Sequence, residues 1–235
     1  NQQVNRRSAG GYRTHHAGSD PFFCADRQYV GVDLKVGPDG AVYISDWYDP
    51  RHCHNPNVEQ WDRATGRIYR MAYDENYRQA RIDYSRATDD ELVEAQLHKN
   101  AWHGRMARLV MHERAIAGRF SAKSVKRLHA IALEPTDTDR RLSALWSLAQ
   151  AKGLDHELAS QLLRDPNEYI RAWAVQLSVE QLPSEQINEE LSALSVSETS
   201  LLVRRYLASA IQRLPAVTGW SIAAQQAARE DTSTD

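Results

Sequence analysis

The chain of 235 residues carries 29 Lys and Arg against 31 Asp and Glu, a formal net charge of -2. This balance excludes a chain-wide field that would attract nucleic acid or an anionic membrane, so we expect no nucleic-acid partner. Hydrophobic residues make up 42% of the chain, enough to bury a sizeable core. Apolar runs stay shorter than the roughly 18 residues that a bilayer requires, and we expect no membrane span.

Residues 29–72 show the two-residue alternation that is typical of β-strands. Strands are predicted over 30–36 and 41–45, joined by a turn at Gly37-Pro38-Asp39-Gly40, with a third strand over 66–71. A sheet of three short strands leaves one apolar face uncovered. We therefore expect the strands within residues 1–84 to require neighbouring sheets that cover this face.

Polar residues typical of functional loops are densest directly after the second strand, over 46–56. The candidate ligand residues are Asp46, Trp47, Asp49, His52 and His54. Three interpretations remain open: metal binding, a substrate or cofactor surface with a titrating imidazole, or a structural loop held by hydrogen bonds. The structural interpretation is favoured, and no metal site is assigned, because a second pair of ligands at fixed spacing is lacking. Further metal ligands could come from a neighbouring pair, His15 and His16.

The two cysteines of the chain, Cys24 and Cys53, both lie in predicted loops. A disulfide between them is favoured over two free thiols and would imply an oxidising compartment. The sequence contains neither the Cys-x-x-Cys-His motif of haem attachment nor a paired Cys-x-x-Cys zinc pattern. No cofactor is therefore assigned to this chain.

From residue 88 the pattern changes to that of amphipathic helices. Thr88 and Glu91 have the spacing of a capping box, and a further helix is predicted from about Asn100 to Ala117. Gly153 is placed at a helix C-terminus. Other helix starts are predicted at Ser121, Asp137, Asp155, Asp165, Ser184 and Ser197.

Three helical segments share one apolar pattern, which indicates repeated helical pairs over residues 85–228. An aromatic residue of each stripe is predicted to lie in the core: Trp146, Trp173 and Tyr206. Arg105, Arg141, Arg171 and Arg205 recur roughly every 30 to 36 residues, close to the period of helical-hairpin repeats. Residues 165–171, DPNEYIR, resemble the start of the second helix of HEAT repeats. The polar residues 229–235 are predicted to form a frayed tail.

Residues 29–73 also resemble a known family. The segment 31–48, GVDLKVGPDGAVYISDWY, together with Trp61-Asp62-Arg63 and Gly66-Arg67-Ile68-Tyr69-Arg70, is similar to the final propeller blade of a family of membrane-bound dehydrogenases. These are large exported bacterial proteins similar to sorbosone and aldose dehydrogenases that use pyrroloquinoline quinone (PQQ). In that family, HEAT repeats commonly follow the blade, and a cytochrome c domain often follows them.

The resemblance implies that residues 1–84 are the C-terminal portion of a β-propeller, namely its last blade and loops. The chain would then be mainly α with an N-terminal β part: a terminal blade followed by a HEAT-like α-solenoid. It also implies the C-terminal part of a periplasmic or otherwise exported quinoprotein-like oxidoreductase. PQQ, calcium or haem would belong to other parts of the parent protein, and no catalytic residue is assigned here. The expected partners are the preceding blades and a protein bound by the helical repeats. The alternative is a noncatalytic HEAT-repeat scaffold for protein interactions.

Overall fold

The computed structural model describes residues 3–8, 11–16, 18, 23–50, 64–135 and 137–228. Over these residues the protein is mainly helical and carries a small three-stranded antiparallel sheet. The chain divides into two compact units, Asn1–Ala80 and Arg81–Asp235. The predicted tail, 229–235, lies outside the described residues.

The first unit contains two antiparallel arrangements of strands. Strands β1 (Gln3–Ser8) and β2 (Gly11–His16) form a hairpin, and β3 (Gly31–Val36), β4 (Val42–Asp46) and β5 (Arg67–Met71) form a sheet in chain order. The three strands of the sheet were predicted from their alternation. The first hairpin was not, because its polar sequence lacks the apolar alternation that marks a half-buried strand.

The register of the sheet gathers apolar side chains on one face. Leu34 lies opposite Ile44, and Ile44 lies opposite Tyr69 on the third strand. Ile44 is only 5% exposed, whereas Leu34 is 59% exposed. A β-bulge between Gly31 and Asp33 shifts the first strand by one residue. The apolar face is therefore covered at its centre and open along β3.

The predicted turn at residues 37–40 is confirmed and is fixed by one carboxylate. Gly40 has a φ of 77°, a left-handed conformation that glycine adopts without strain. Asp39 accepts a hydrogen bond from the Ala41 N–H at 3.1 Å. Its other oxygen accepts from the hydroxyls of Tyr43 and Tyr77, each at 3.0 Å. The turn is thereby joined to the chain that follows the sheet.

The second unit is a stack of short helices. Its described helices are α1 (Asp89–Ala95), α2 (Ala101–Ile116), α3 (Ala122–Leu133), α4 (Thr138–Gln150), α5 (His156–Leu162), α6 (Glu168–Gln181), α7 (Glu185–Ser197), α8 (Leu201–Ala210) and α9 (Ala216–Ala227). The even-numbered helices contact one another in order, from α2 to α8. Among the others, α1 contacts α3, α5 contacts α7, and α7 contacts α9. The unit therefore has two layers with a shared apolar core.

Most of the predicted helix starts are confirmed by side-chain caps. Thr88 and Glu91 form the full capping box, and Asn100 caps α2. The caps predicted at Ser121, Asp137, Asp155 and Ser184 are also present.

Two predicted caps were wrong by two or three residues. Asn167, not Asp165, caps α6, and Ser200, not Ser197, caps α8. The Asp165 carboxylate lies just before the cap, where it accepts from the Asn167 N–H at 2.9 Å and pairs with Arg141 of the preceding helix pair. Ser197 is still part of α7.

Successive helix pairs are linked by largely buried arginines. Arg141, Arg171 and Arg204 each lie four residues after the N-cap of an even-numbered helix. Arg141 binds Asp165, and Arg171 binds Glu198, each acid lying two residues before the next cap. The repeat position in α8 is thus held by Arg204 rather than by Arg205, the residue that we predicted from spacing.

Candidate functional site

The predicted ligand loop begins at a buried carboxylate at the end of β4. Asp46 is only 5% exposed, and its Oδ1 accepts hydrogen bonds from the N–H groups of Val30 at 2.9 Å and Tyr48 at 3.0 Å. Its Oδ2 is buried and has no hydrogen-bond partner among the described residues. Asp46 thus ties the start of the loop to the segment that enters β3.

The residues around Asp46 form a cluster of tyrosines with one arginine. Tyr48 has a φ of 55°, a left-handed conformation that a bulky side chain adopts only when its surroundings hold it. The Arg67 guanidinium lies 4.4 Å from the centre of the Tyr48 ring, a cation–π contact. Tyr29 packs edge-on against Tyr69. Burial, and then the charge of Asp46, raises the pKa of Tyr29, so its hydroxyl stays protonated.

The other loop residues are only partly described. The indole Nε1 of Trp47 donates to Asp49 at 3.3 Å, at the surface. His52 and His54 lie outside the described residues, so their ligand roles stay predictions. Over the described ranges, no group of three or more His, Cys, Asp and Glu side chains could hold a metal ion. The position of Asp46 and its bonds to backbone N–H groups are those of a structural residue.

Only one of the two cysteines of the predicted disulfide lies among the described residues. Cys24 is half-buried and has no disulfide partner in the described part of the chain. Its predicted partner, Cys53, lies in the segment 51–63, which the structure does not describe. The bridge stays a prediction.

The helical unit carries an aromatic stripe, defined as the rings of Trp146, Trp173 and Tyr206. The centroids of the two indole rings are 5.2 Å apart, and the ring planes are nearly perpendicular. The Trp173 and Tyr206 centroids are 6.1 Å apart. The rings come from α4, α6 and α8, the helices that contact one another in order. The stripe therefore crosses three helix pairs.

These rings were predicted to be core residues, but each is only partly buried. They pack against the buried cluster on one side and reach the surface on the other. Relative to the helix caps, Trp173 and Tyr206 occupy one position, whereas Trp146 lies one turn further along its helix. Helical offsets alone cannot separate a core position from a half-exposed one at the edge of the apolar arc.

A pocket of about 440 Å³ opens beside the stripe between α6 and α8. Arg213 contacts Glu180 at 3.7 Å, and the Gln176 amide donates to the same carboxylate. The pocket thus combines aromatic faces with hydrogen-bonding and charged groups. Its lining residues are Trp173, Gln176, Glu180, Arg205, Tyr206 and Ser209.

Arginines lie at the other end of the stripe. The Arg108 guanidinium lies 5.7 Å from the centre of the Trp146 ring and donates to Gln96 at 2.9 Å. Burial, and then the charge of Arg105, lowers the pKa of Arg108 from its ordinary value. Arg105 and Arg108 lie three residues apart on α2 and therefore share one face of that helix.

A second aromatic cluster lies at the start of the helical unit. The Tyr84 hydroxyl and His103 Nδ1 are 2.7 Å apart, and the His103 ring packs at a tilt against the His98 ring, with centroids 3.9 Å apart. His103 is buried, and burial raises the pKa of Tyr84. This cluster joins the short turn before α1 to the first turn of α2.

None of the described helices has the length and apolar character needed to cross a bilayer. Comparisons with protein-family models, with curated proteins and with solved structures gave no match for this chain.

Proposed function

We propose that the helical unit is a HEAT-like α-solenoid that serves as a docking scaffold for another protein. Support comes from the order of contacts among the even-numbered helices and from the arginine links between successive pairs. Such stacks bury their apolar faces only against their neighbours and present a continuous surface to partners. The observation that carries the proposal is the half-exposed aromatic stripe, because aromatic side chains are enriched where proteins bind one another.

A photo-crosslinker can test the docking function in the intact protein. Ser209 is exposed on α8 and lines the pocket beside the stripe, whereas Ala193 is exposed on α7 and lines a different pocket. A benzophenone side chain at Ser209 is expected to give a discrete adduct with one protein in the producing cell. The same group at Ala193 is the matched control. Equal labelling from both positions, or none from Ser209, would contradict a docking surface at the stripe.

We propose further that the three-stranded sheet is the terminal blade of an exported quinoprotein-like oxidoreductase, located in the periplasm or outside the cell. The observation that supports it is the apolar face left open along β3, where Leu34 is 59% exposed. Propeller blades cover such faces with neighbouring sheets. In this proposal the partners of the sheet are the preceding blades, and PQQ, calcium or haem belongs to other parts of the parent protein.

The oxidoreductase proposal is tested on the full parent protein. Absorbance of a bound quinone or haem, together with sugar-dependent reduction of a dye, is the expected result. Full-length protein that shows no cofactor absorbance and no such activity would leave the docking scaffold as the function. Site residues for the reaction are not assigned in this chain.

A further inference from the structure

The aromatic stripe is flanked by arginines, and this combination defines the kind of partner that it fits. Building on the proposed docking function, we propose that the stripe binds an extended acidic polypeptide segment, with apolar side chains on the rings and carboxylates beside the arginines. The segment belongs to another protein.

The steps along the stripe are comparable with, but somewhat shorter than, the side-chain spacing of an extended chain. Alternate side chains of a strand project to the same side about 6.8 Å apart. The distances along the stripe are 5.7 Å from Arg108 to Trp146, 5.2 Å from Trp146 to Trp173 and 6.1 Å from Trp173 to Tyr206. A segment of about seven extended residues therefore has four side chains on one face, one for Arg108 and one for each of the three rings.

The charges around the stripe favour a segment with carboxylates. Arg105 and Arg108 lie at the Trp146 end, and Arg205 and Arg213 lie at the Tyr206 end. Among the described residues that line the pocket, Glu180 is the one acidic group, and Arg213 already contacts it.

Arg105 and Arg108 share one face of α2, so an anion at that end would be attracted by both guanidinium groups. Carboxylates recognise guanidinium groups through paired hydrogen bonds, so acidic residues at both ends of the segment fit this arrangement. The charge of the surface thus complements an acidic partner rather than a basic one.

A designed peptide provides the probe. Its centre carries leucines at alternate positions separated by serines, and each end carries two aspartates, for a length of about nine residues. One comparison peptide has lysines in place of the aspartates, and another has serines in place of the leucines. A single-stranded thymidine oligonucleotide is the nucleic-acid comparison. Binding of the fluorescein-labelled probes to the whole chain is measured by fluorescence anisotropy.

We expect the aspartate–leucine peptide to bind more tightly than either comparison peptide and more tightly than the oligonucleotide. Trp173→Ala should weaken binding about tenfold or more, because it removes the central ring. Trp173→Phe should retain most of the affinity and shows whether loss in the alanine variant reflects misfolding. Arg205→Glu, a change at an exposed residue, should weaken binding of the acidic peptide and strengthen binding of the lysine peptide.

Two substitutions serve as matched controls. Trp220 is 76% exposed on α9, outside the stripe, and Trp220→Ala should leave affinity unchanged. Arg164 is exposed and lines a different pocket, which also contains Glu190. Arg164→Glu therefore makes the same change of charge as Arg205→Glu, but away from the stripe. It too should leave affinity unchanged.

Three results would overturn the acidic-segment inference. They are equal or tighter binding of the lysine peptide, tightest binding of the oligonucleotide, and insensitivity of the acidic peptide to both Trp173→Ala and Arg205→Glu. If none of the peptides binds while the benzophenone at Ser209 still crosslinks a partner, the acidic-segment inference is wrong and the docking function stands. If both experiments fail, the docking function falls as well.

Discussion

Arg171 binds Glu198 through two charge-assisted hydrogen bonds, from Nε to Oε2 at 2.7 Å and from Nη2 to Oε1 at 2.9 Å. Glu198 is only 4% exposed. The Nη1 of the same arginine donates to the carbonyl oxygen of Asp165 at 2.7 Å, and the Asp165 carboxylate pairs with Arg141. A single chain of polar contacts therefore connects α4, α6 and the start of α8.

Arg171→Met should destabilise the helical unit strongly, because it leaves the buried Glu198 carboxylate without its counter-ion. Removing one partner of a buried pair costs about 3 kcal/mol or more of unfolding free energy. Urea unfolding followed by far-UV circular dichroism measures the loss. The double variant Arg171→Met with Glu198→Leu should recover part of it, since no unpaired charge remains.

The exposed pair of Lys123 and Asp90 supplies the control for that experiment. Its atoms are 2.9 Å apart, close to the Arg171–Glu198 distances, but the Lys123 side chain is largely in solvent. Lys123→Met should therefore have a far smaller effect on the urea midpoint than Arg171→Met. Equal effects of the two changes would show that burial does not set the strength of the Arg171 link.

Glu198 should also make the stability of the helical unit depend on pH. Burial alone would raise the pKa of Glu198, but hydrogen bonds from Arg171 and from the Ser200 N–H outweigh it, and the pKa is lowered. A lowered pKa contributes stability above the ordinary glutamate value, about 4.3, that is lost as the pH falls through the folded-state value.

Urea unfolding at a series of pH values checks this link with Glu198→Gln as the comparison. The difference in unfolding free energy between the unsubstituted chain and the Glu198→Gln variant should be constant near neutral pH. It should shrink as the pH falls below about 4, where the carboxylate takes up a proton. A difference that stays constant down to the acid transition would contradict the assignment.

Asn167 should be the cap on which α6 depends. Its Oδ1 accepts from the Tyr169 N–H at 2.9 Å, and its Nδ2 donates to Thr138 Oγ1 at 2.8 Å in the preceding pair. Asn167→Ala should cost about 1 kcal/mol or somewhat more of unfolding free energy. Ser197→Ala, at a residue that the sequence alone predicted as a cap, should be close to neutral. A larger cost for Ser197→Ala would reverse the assignment.

The sequence predicted most of the local structure because local chemistry determines it. The capping box at Thr88 and the turn at Asp39 need only residues a few positions away, and both are confirmed. Asp165 was assigned as a cap because its type and its position before Pro166 fit one. Its carboxylate is instead engaged by Arg141, 24 positions earlier in the chain, and such a partner cannot be recognised from local pattern.

The candidate sites were harder to predict than the fold. Trp146, Trp173 and Tyr206 lie on an apolar arc, so a core position was the expected outcome. Their partial exposure depends on how α4, α6 and α8 pack side by side, which periodicity does not specify. In the predicted loop, the sequence identified Asp46 as a candidate ligand residue. Its hydrogen bonds from the Val30 and Tyr48 N–H groups depend on the sheet register, which the sequence does not specify.

A disulfide between Cys24 and Cys53 remains a prediction with a direct test. Alkylation of the unfolded protein with and without prior reduction, followed by intact-mass measurement, counts the free thiols. We expect alkylation only after reduction, since the sequence predicts both cysteines in loops and the proposed export would place the chain in an oxidising compartment. Labelling of both thiols without reductant would refute the bridge.

The two units should differ in their resistance to protease. The helical unit has its own extensive core, whereas the sheet leaves Leu34 and Ile68 exposed, the latter by 75%. Backbone segments that lack buried apolar contacts open more readily and are cleaved from the open state. Limited proteolysis of the whole chain should therefore remove residues 1–80 first and leave a helical fragment of constant size. Added protein that supplies the preceding blades should slow that cleavage, because it would cover the open face of the sheet. Equal resistance of the two units without such a partner would mean that the three strands need no neighbouring sheet, which would remove the structural support for the propeller proposal.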